Sequence, residues 1–316
     1  GGAPAAVGGF AAAALDAGRA FWSGEAPSGS TSGRAEALLA EGDALRRRLG
    51  HYQGAMFHFE GEWYWGLDRL YLLEARLRRE GHARAGEAGV RVPRPDVSIP
   101  GGLDASDVRL EYFPSLRSPY TAVGHAAVQA LVDASRVTLD VRPVMPMMMR
   151  GVPAPRAKQQ YIVSDAAREA RAAGVPFGRM VDPFGEPVRR ALSLWAWVRA
   201  ERREMPFLDS YLRGAWAEGV DITTAEGLDF VLARAGLDPV AAQAHFDAPA
   251  STELLEENLD AMLEAGLWGV PSFRVTGGSA GSGSFACWGQ DRIWRVGAEI
   301  VRRAGGDPGI PLPEAA

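Results

Sequence analysis

The stretch from Gly266 to Arg292, GLWGVPSFRVTGGSAGSGSFACWGQDR, places a proline between a helical pattern and a short apolar run that is typical of a strand. Pro271 has no N–H to donate to a sheet, so a proline at this point needs a structural explanation. In one interpretation the Val270–Pro271 bond is cis and turns the main chain of Val270 toward a ligand, as an edge strand would. In the other, Pro271 is an ordinary trans proline at the first residue of the strand. This stretch alone leaves both open.

The composition of the chain limits the classes of protein to which it can belong. Its 316 residues, 47% hydrophobic and 23% charged, are typical of a globular protein with one large or two modest domains. The formal net charge is −5 and no basic stripe stands out, which argues against nucleic acid as the main partner. No apolar run approaches the roughly 18–20 residues of a membrane span, so we expect no membrane partner.

The N-terminal segment and the cysteine count indicate where the protein is located. The opening GGAPAA lacks the charged start and apolar core of a secretory signal, and it lacks an initiator Met, so we expect a fragment or a processed form. Cys287 is the single cysteine, so this chain cannot run a dithiol–disulfide cycle within itself. A reducing cytoplasm is the expected compartment. The histidines have no metal-type spacing, so no metal is expected.

The sequence contains an internal repeat. Ala55 in the first copy stands where Pro271 stands in the second, so the first copy is predicted to be non-catalytic. Common descent and convergence both explain the repeat. Its matching segments are GHYQGAMF (50–57) with GLWGVPSF (266–273), and WGLDR (65–69) with WGQDR (288–292).

From Val108 onward the patterns predict strand, helix, strand, a helical region, helix, hairpin and helix. VRLEYF (108–113) and VTLDVRPVM (137–145) are rich in strand-forming residues. Between them, the segment that begins near Ser118 has the apolar spacing of a helix. The helical region extends over about 150–250, before the helix that leads to Gly266.

This order resembles the DsbA-like thioredoxin-fold family, with Gly-Val-Pro-Ser-Phe (269–273), Ser-Pro-Tyr (118–120) and Trp-Gly-Gln-Asp-Arg (288–292) as the supporting motifs. More narrowly, the chain resembles the branch that holds the 2-hydroxychromene-2-carboxylate isomerases and the kappa-class glutathione transferases. The resemblance implies an α/β, thioredoxin-like fold with an inserted all-helical subdomain, preceded by a partial thioredoxin-like half unit.

The expected organisation follows from the repeat and the resemblance together. Its segments are a partial, degenerate thioredoxin-like unit of helix, β-hairpin and helix (1–89), a linker (90–107), a DsbA-like thioredoxin domain (108–304) with its helical insertion at about 150–250, and a tail (305–316).

Ser118 is the predicted catalytic residue. It lies where a strand ends and a helix begins, and the N-terminus of a helix stabilises an anion. The resemblance implies that its hydroxyl donates a hydrogen bond to a glutathione thiolate and keeps the thiol ionised. Ser followed by Pro is also a common helix start, with Ser as the N-cap. The same side chain can fill both roles.

The remaining ligand contacts are implied by the resemblance. Val270, presented by a cis Pro271, pairs with the cysteinyl main chain of glutathione, and Gln290 with Asp291 holds the γ-glutamyl end. A helix cap is the alternative role of Asp291. Lys158 is the candidate for the glycyl carboxylate, and a solvent-facing Lys is its alternative. The sequence lacks the Asn-rich part of the family's loop after the second strand.

We therefore expect a thiol-dependent isomerase or transferase that acts on a small, aromatic-derived electrophile. Its cofactor is predicted to be glutathione or another low-molecular-weight thiol. The alternative function is a non-catalytic tandem thioredoxin-like scaffold for protein interaction. Abundant Ala, Arg and Gly suggest a high-GC bacterium. The expected partners are a small-molecule substrate and a second copy in a homodimer.

Overall fold

The computed structural model describes residues 12, 15–25, 33–83, 86, 89–96, 98–279 and 282–310. The opening segment and residues 311–316 of the predicted tail lie outside these ranges. The chain divides into two compact units, Gly1–Gly54 and Ala55–Ala316. The predicted partial unit 1–89 spans this division, and its status as a single domain stays a prediction.

In the first unit, helix α1 spans Gly33–Arg48 and is mostly exposed. Its last turn carries three arginines, which complement the negative end of the helix dipole. Arg46 pairs with Asp43 at 3.1 Å and donates to the carbonyl of His51 at 2.9 Å. These contacts hold the segment after the helix against its last turn.

The second unit contains both β-sheets among the described residues. Its strands are β1 (Met56–Phe59), β2 (Glu62–Trp65), β3 (Val108–Phe113), β4 (Thr138–Val141), β5 (Ser272–Gly277) and β6 (Phe285–Trp288). Its helices are α2 (Leu70–Arg79), α3 (Pro119–Ser135), α4 (Arg156–Ala173), α5 (Glu186–Ser193), α6 (Trp195–Ala200), α7 (Glu204–Arg213), α8 (Ala225–Arg234), α9 (Pro239–Ala242), α10 (Pro249–Glu264) and α11 (Ile293–Arg303). Short turns of 3-10 helix at Leu67–Arg69 and Gln290–Arg292 precede α2 and α11.

The central sheet has the strand order β4-β3-β5-β6, and β1 pairs with β2 in a separate hairpin. Strands β3 and β4 are parallel, whereas β5 is antiparallel to both β3 and β6. Tyr112 and Phe273 are register partners, and their rings stack with centroids 5.5 Å apart. Such a cross-strand pair contributes roughly 0.2–1 kcal/mol.

Strand β4 is shorter than predicted. It ends at Val141, whereas the sequence predicts a strand to residue 145. Pro143 has no N–H for the ladder, so regular pairing cannot continue through it. Single main-chain bonds from Arg142 to Tyr112 and from Val144 to Pro114, at 2.8 and 3.0 Å, hold the segment beside β3.

The helical insertion is part of the same core as the sheet. Trp195 and Phe207, from the insertion, are fully buried in one cluster with Leu110 of β3 and Val128 of α3. Burial of each such large apolar side chain contributes roughly 1.5–3 kcal/mol. The predicted order of elements, including a helical insertion between β4 and α10, is confirmed.

Candidate active site

Ser118 lies immediately before α3 and has two partners. Its main chain is extended (φ −92°, ψ 114°), and its Oγ accepts a hydrogen bond from the N–H of Thr121 at 3.1 Å, so it caps the helix. The same Oγ donates to the carbonyl of Val270 at 3.4 Å. Only 8% of Ser118 is exposed. The hydroxyl therefore lies between the positive end of a 17-residue helix and the main chain of Val270.

The Val270–Pro271 segment leads directly into β5, and its peptide bond is cis. The carbonyl of Pro271 accepts from the N–H of Gly289 at 2.9 Å, which joins this segment to the turn after β6. Gly269 lies against the indole of Trp288, where a Cβ would be only 2.8 Å from Cε2. The close approach therefore requires glycine.

Gln290 and Asp291 lie in the turn that leads into α11. The amide of Gln290 donates to Glu169 at 3.2 Å. The carboxylate of Asp291 accepts from Arg69 at 2.6 Å. The turn packs on α3 at Gly124, where a Cβ would lie 2.7 Å from that of Gln290. Both predicted ligand groups are thus engaged by side chains of this chain.

Arg69 is the centre of a buried ion-pair cluster. Its guanidinium reaches three carboxylates, Asp165 at 2.9 Å, Glu169 at 3.1 Å and Asp291 at 2.6 Å. Only 2% of Arg69 is exposed. Burial alone would lower the pKa of Arg69, but the three carboxylates raise it above the ordinary value. Tyr120, in the first turn of α3, donates to Asp165 at 2.8 Å, so the cluster extends to the helix that Ser118 caps.

Glu169 connects this cluster to the segment before β3. Its carboxylate also accepts from Tyr71 of α2 at 3.0 Å and pairs with Arg94 at 2.7 Å. Burial, together with the charge of Glu169, raises the pKa of the Tyr71 hydroxyl. The cluster is therefore a network that joins α2, α4 and residue 94 around buried charges, each with a partner of opposite sign.

Aromatic side chains form a wall around Trp288, which is the register partner of Ser272 at the start of β5. The indole of Trp288 lies 5.6 Å from Trp65 and 5.6 Å from Trp268, measured between ring centroids. Tyr161 adjoins Trp65 at 6.4 Å. The ammonium of Lys158 lies 5.8 Å from the ring centre of Trp268, and burial lowers its pKa. Lys158 thus faces the aromatic wall.

Two hollows adjoin the turn that carries Gln290. A cavity of about 60 Å³ is bounded by Trp65, Tyr120, Trp288 and the two pairs Asp68–Arg69 and Asp291–Arg292. A larger groove of about 470 Å³ is lined by residues of α3 and α11 and by Arg94, Glu169 and Gln290. Within the described ranges, no group of His, Cys, Asp and Glu has the arrangement of a metal site, and no helix is long and apolar enough to cross a membrane.

The structure brings Ser118, Val270 and Pro271 together and places Gln290 and Asp291 at the adjoining turn. Sequence reasoning placed Tyr120 in the Ser-Pro-Tyr motif but gave it no role, and it did not identify Arg69 or Glu169 as part of this region. The repeated W-G-x-D-R motif contained the available signal, because it singles out an arginine in each copy.

A family model for the DSBA-like thioredoxin domain matches residues 109–300. A search of curated proteins finds no match. Among solved structures, a 2-hydroxychromene-2-carboxylate isomerase is similar with a TM-score of 0.50 and 19% identity, over 61% of this chain and 94% of that one.

Two further structures are similar at lower scores. A probable DsbA oxidoreductase from Streptomyces coelicolor has a TM-score of 0.46 and 19% identity, over 66% of this chain and 93% of its own. The cytosolic disulfide reductase DsbM from Pseudomonas aeruginosa has a TM-score of 0.47 and 17% identity, over 60% of this chain and 97% of its own. At such identities a likeness concerns the fold alone.

Proposed function

This chain belongs to the DSBA-like thioredoxin domain family, and from that premise we propose that it is a thiol-dependent isomerase or transferase. The single observation that supports the proposal is the position of Ser118, whose hydroxyl caps α3 and faces the main chain of Val270. A thiol bound beside Val270 meets an O–H donor and the positive end of a helix, and both favour the thiolate over the thiol. Glutathione is the proposed thiol, with another low-molecular-weight thiol as the alternative.

The proposed chemistry uses the thiolate as a nucleophile toward a small, aromatic-derived electrophile. The sulfur adds to one carbon of a conjugated double bond, and the electron pair moves to the adjoining carbonyl as an enolate. Rotation about the new single bond and return of the electron pair then expel the thiolate, which completes an isomerisation. If the enolate instead takes a proton, the C–S bond stays and the thioether is a transferase product.

Dithiol exchange is not the proposed activity, because this chain has a single cysteine. Cys287 lies on β6, and burial raises the pKa of its thiol to about 12. A thiol with so high a pKa is protonated at neutral pH and is a poor nucleophile. Because the chain has a single cysteine, we also propose that it works in a reducing compartment, the cytoplasm. A small-molecule substrate and a homodimer remain the proposed partners.

The pKa of the thiol in bound glutathione tests the role of Ser118. Thiolate absorbs in the ultraviolet, so absorbance against pH gives this pKa in the complex. We expect the wild type to lower it below the ordinary thiol value of about 8.5, and Ser118→Ala to raise it again. An unshifted pKa in the wild-type complex, or no glutathione binding at millimolar concentration, would contradict the proposal.

Two variants separate thiolate stabilisation from helix capping. Thr224 caps α8 through a bond from Gly227 at 3.0 Å, so Thr224→Ala removes a comparable cap elsewhere in the chain and should leave the thiol pKa unchanged. Ser118→Asp keeps a capping oxygen but replaces the donor with a negative charge, and it should raise the thiol pKa further.

A non-catalytic scaffold is the second candidate. It is favoured by the engagement of Gln290 and Asp291, whose side chains already bind Glu169 and Arg69. A scaffold would bind neither glutathione nor any other small thiol at millimolar concentration, whereas the enzyme would. The same titration therefore distinguishes the two functions.

A further inference from the structure

The two W-G-x-D-R motifs contact each other reciprocally. Arg69 of the first motif pairs with Asp291 of the second at 2.6 Å, and Arg292 of the second pairs with Asp68 of the first at 2.6 Å. Trp65, the first residue of one motif, packs against its counterpart Trp288 with ring centroids 5.6 Å apart. Each position thus meets the complementary position of the other copy, as in an isologous interface between two subunits.

This pairing satisfies every charge of the two motifs. The negative charges of Asp68 and Asp291 each face an arginine of the other copy. Arg69 additionally binds Asp165 and is almost completely buried. The guanidinium of Arg69 already binds Asp291, so a ligand ammonium at Asp291 would compete with a buried cation that Asp165 and Glu169 also hold. Displacement of such a buried, paired cation is strongly unfavourable.

The available space leads to the same conclusion. The cavity between the motifs has a volume of about 60 Å³. Pockets that enclose a drug-sized ligand measure roughly 300–1,000 Å³. An amino-acid group brings an ammonium and a carboxylate together, and each of them needs a partner of opposite charge. Between the two motifs both aspartates are already paired with arginines, and the cavity is small.

We propose that Arg69 is a specificity-determining residue, whose guanidinium occupies the position on Asp291 that a ligand ammonium would take. An amino-acid group at the end of the bound thiol nearest Asp291 would therefore add no affinity. This inference rests on the proposed function, because it concerns the thiol that Ser118 would stabilise. It assigns glutathione binding, where it occurs, to contacts other than an ammonium–Asp291 pair.

The test compares two thiols on the full wild-type chain by calorimetry. One is glutathione, and the other is its desamino analogue, in which hydrogen replaces the γ-glutamyl ammonium. We expect the two dissociation constants to agree within about threefold, whereas a free aspartate would give a charge-assisted bond and a preference of about tenfold or more for glutathione.

Each outcome has a distinct meaning. A preference for glutathione of tenfold or more would overturn the role of Arg69 and leave the proposed function intact. No binding of either thiol at millimolar concentration would overturn the proposed function and the inference together.

A double variant provides the reverse experiment. Arg69→Gln with Asp165→Asn removes one positive and one negative charge, which leaves Glu169 paired with Arg94 and frees Asp291. We expect this variant to prefer glutathione over the analogue by about tenfold or more. The control is Arg76→Gln on α2, whose partners are Glu60, Glu62 and Glu80 and which should retain equal affinities. If the folded double variant also binds both thiols equally, the inference is wrong; if it does not fold, the wild-type comparison decides.

Discussion

The guanidinium of Arg69 donates to the carboxylate of Asp291 at 2.6 Å, although 222 positions separate the two residues in the chain. The reciprocal pair, Asp68 with Arg292, has the same length but a different environment. Arg69 and Asp291 are 2% and 13% exposed in their side chains, whereas Asp68 and Arg292 are 36% and 35% exposed. The two Asp–Arg pairs between the motifs therefore provide a matched comparison of a buried ion pair with a surface ion pair.

Removal of the buried arginine should destabilise the chain severely. Arg69→Met leaves Asp165, Glu169 and Asp291 close together without their shared positive charge, and the loss of one partner of a buried ion pair costs about 3–5 kcal/mol. We expect this reduction in the free energy of unfolding, measured by urea denaturation.

Asp68→Asn is the control for that experiment. It breaks the equivalent pair at a solvent-exposed position, where an ion pair contributes less than about 1 kcal/mol, so its midpoint in urea should move little. A loss in Asp68→Asn as large as that in Arg69→Met would show that burial is not the reason for the difference.

The cap of α3 should contribute measurably to stability whatever the function of Ser118. Ser118→Ala leaves the N–H of Thr121 without its side-chain acceptor and should lower the free energy of unfolding by about 1 kcal/mol. Thr224→Ala should cost a similar amount at α8. Denaturation of both variants checks this, and an unchanged stability of Ser118→Ala would mean that the observed cap is energetically unimportant.

The order of elements could be predicted because it is encoded locally. VRLEYF has strand-forming residues, Ser118-Pro119 is a helix start, and the region between about 150 and 250 has helical spacing, so each element is specified by its own residues. The end of β4 was predicted wrongly, since the favourable composition of VTLDVRPVM outweighed the missing N–H of Pro143.

The charged cluster could not be predicted in the same way. Arg69 and Asp165 contact each other only because the turn after the hairpin of β1 and β2 meets the helix α4 in the folded chain. Local i,i+3 spacing favours a pair between Asp165 and Arg168, but their charged nitrogen and oxygen atoms are 4.0 Å apart. The repeat shows that the two motifs are alike, but it does not by itself show that they contact each other. The only hint of a contact is that each motif contains both an aspartate and an arginine, which can pair with those of the other copy.

Gly269 should tolerate no side chain. A Cβ at this position would lie 2.8 Å from Cε2 of Trp288, so Gly269→Ala must displace the indole or the main chain. We expect a loss of about 1–3 kcal/mol, typical of overpacking, together with a change in tryptophan fluorescence. Gly42→Ala is the control, because Gly42 lies in α1 and a Cβ there would have no neighbouring atom within 4 Å, so alanine should stabilise by about 0.5–1 kcal/mol.

Stability should fall as the pH falls below the ordinary histidine pKa, because His125 is buried. Its imidazole, 4% exposed, lies 3.3 Å from the hydroxyl of Tyr112, and burial lowers its pKa. The unfolded chain therefore binds a proton near pH 6.5 that the folded chain still excludes. This contribution to stability is complete above about pH 6.5 and is lost as the pH falls toward the folded pKa.

Urea denaturation about one pH unit above and one below 6.5 measures this loss. His125→Gln should reduce the difference between the two conditions but not abolish it, because burial lowers the pKa of His51 in the same direction. His58→Gln, at an exposed histidine, should leave the difference unchanged. If His125→Gln has the same pH dependence of stability as the wild type, the buried imidazole of His125 does not cause the loss of stability at lower pH.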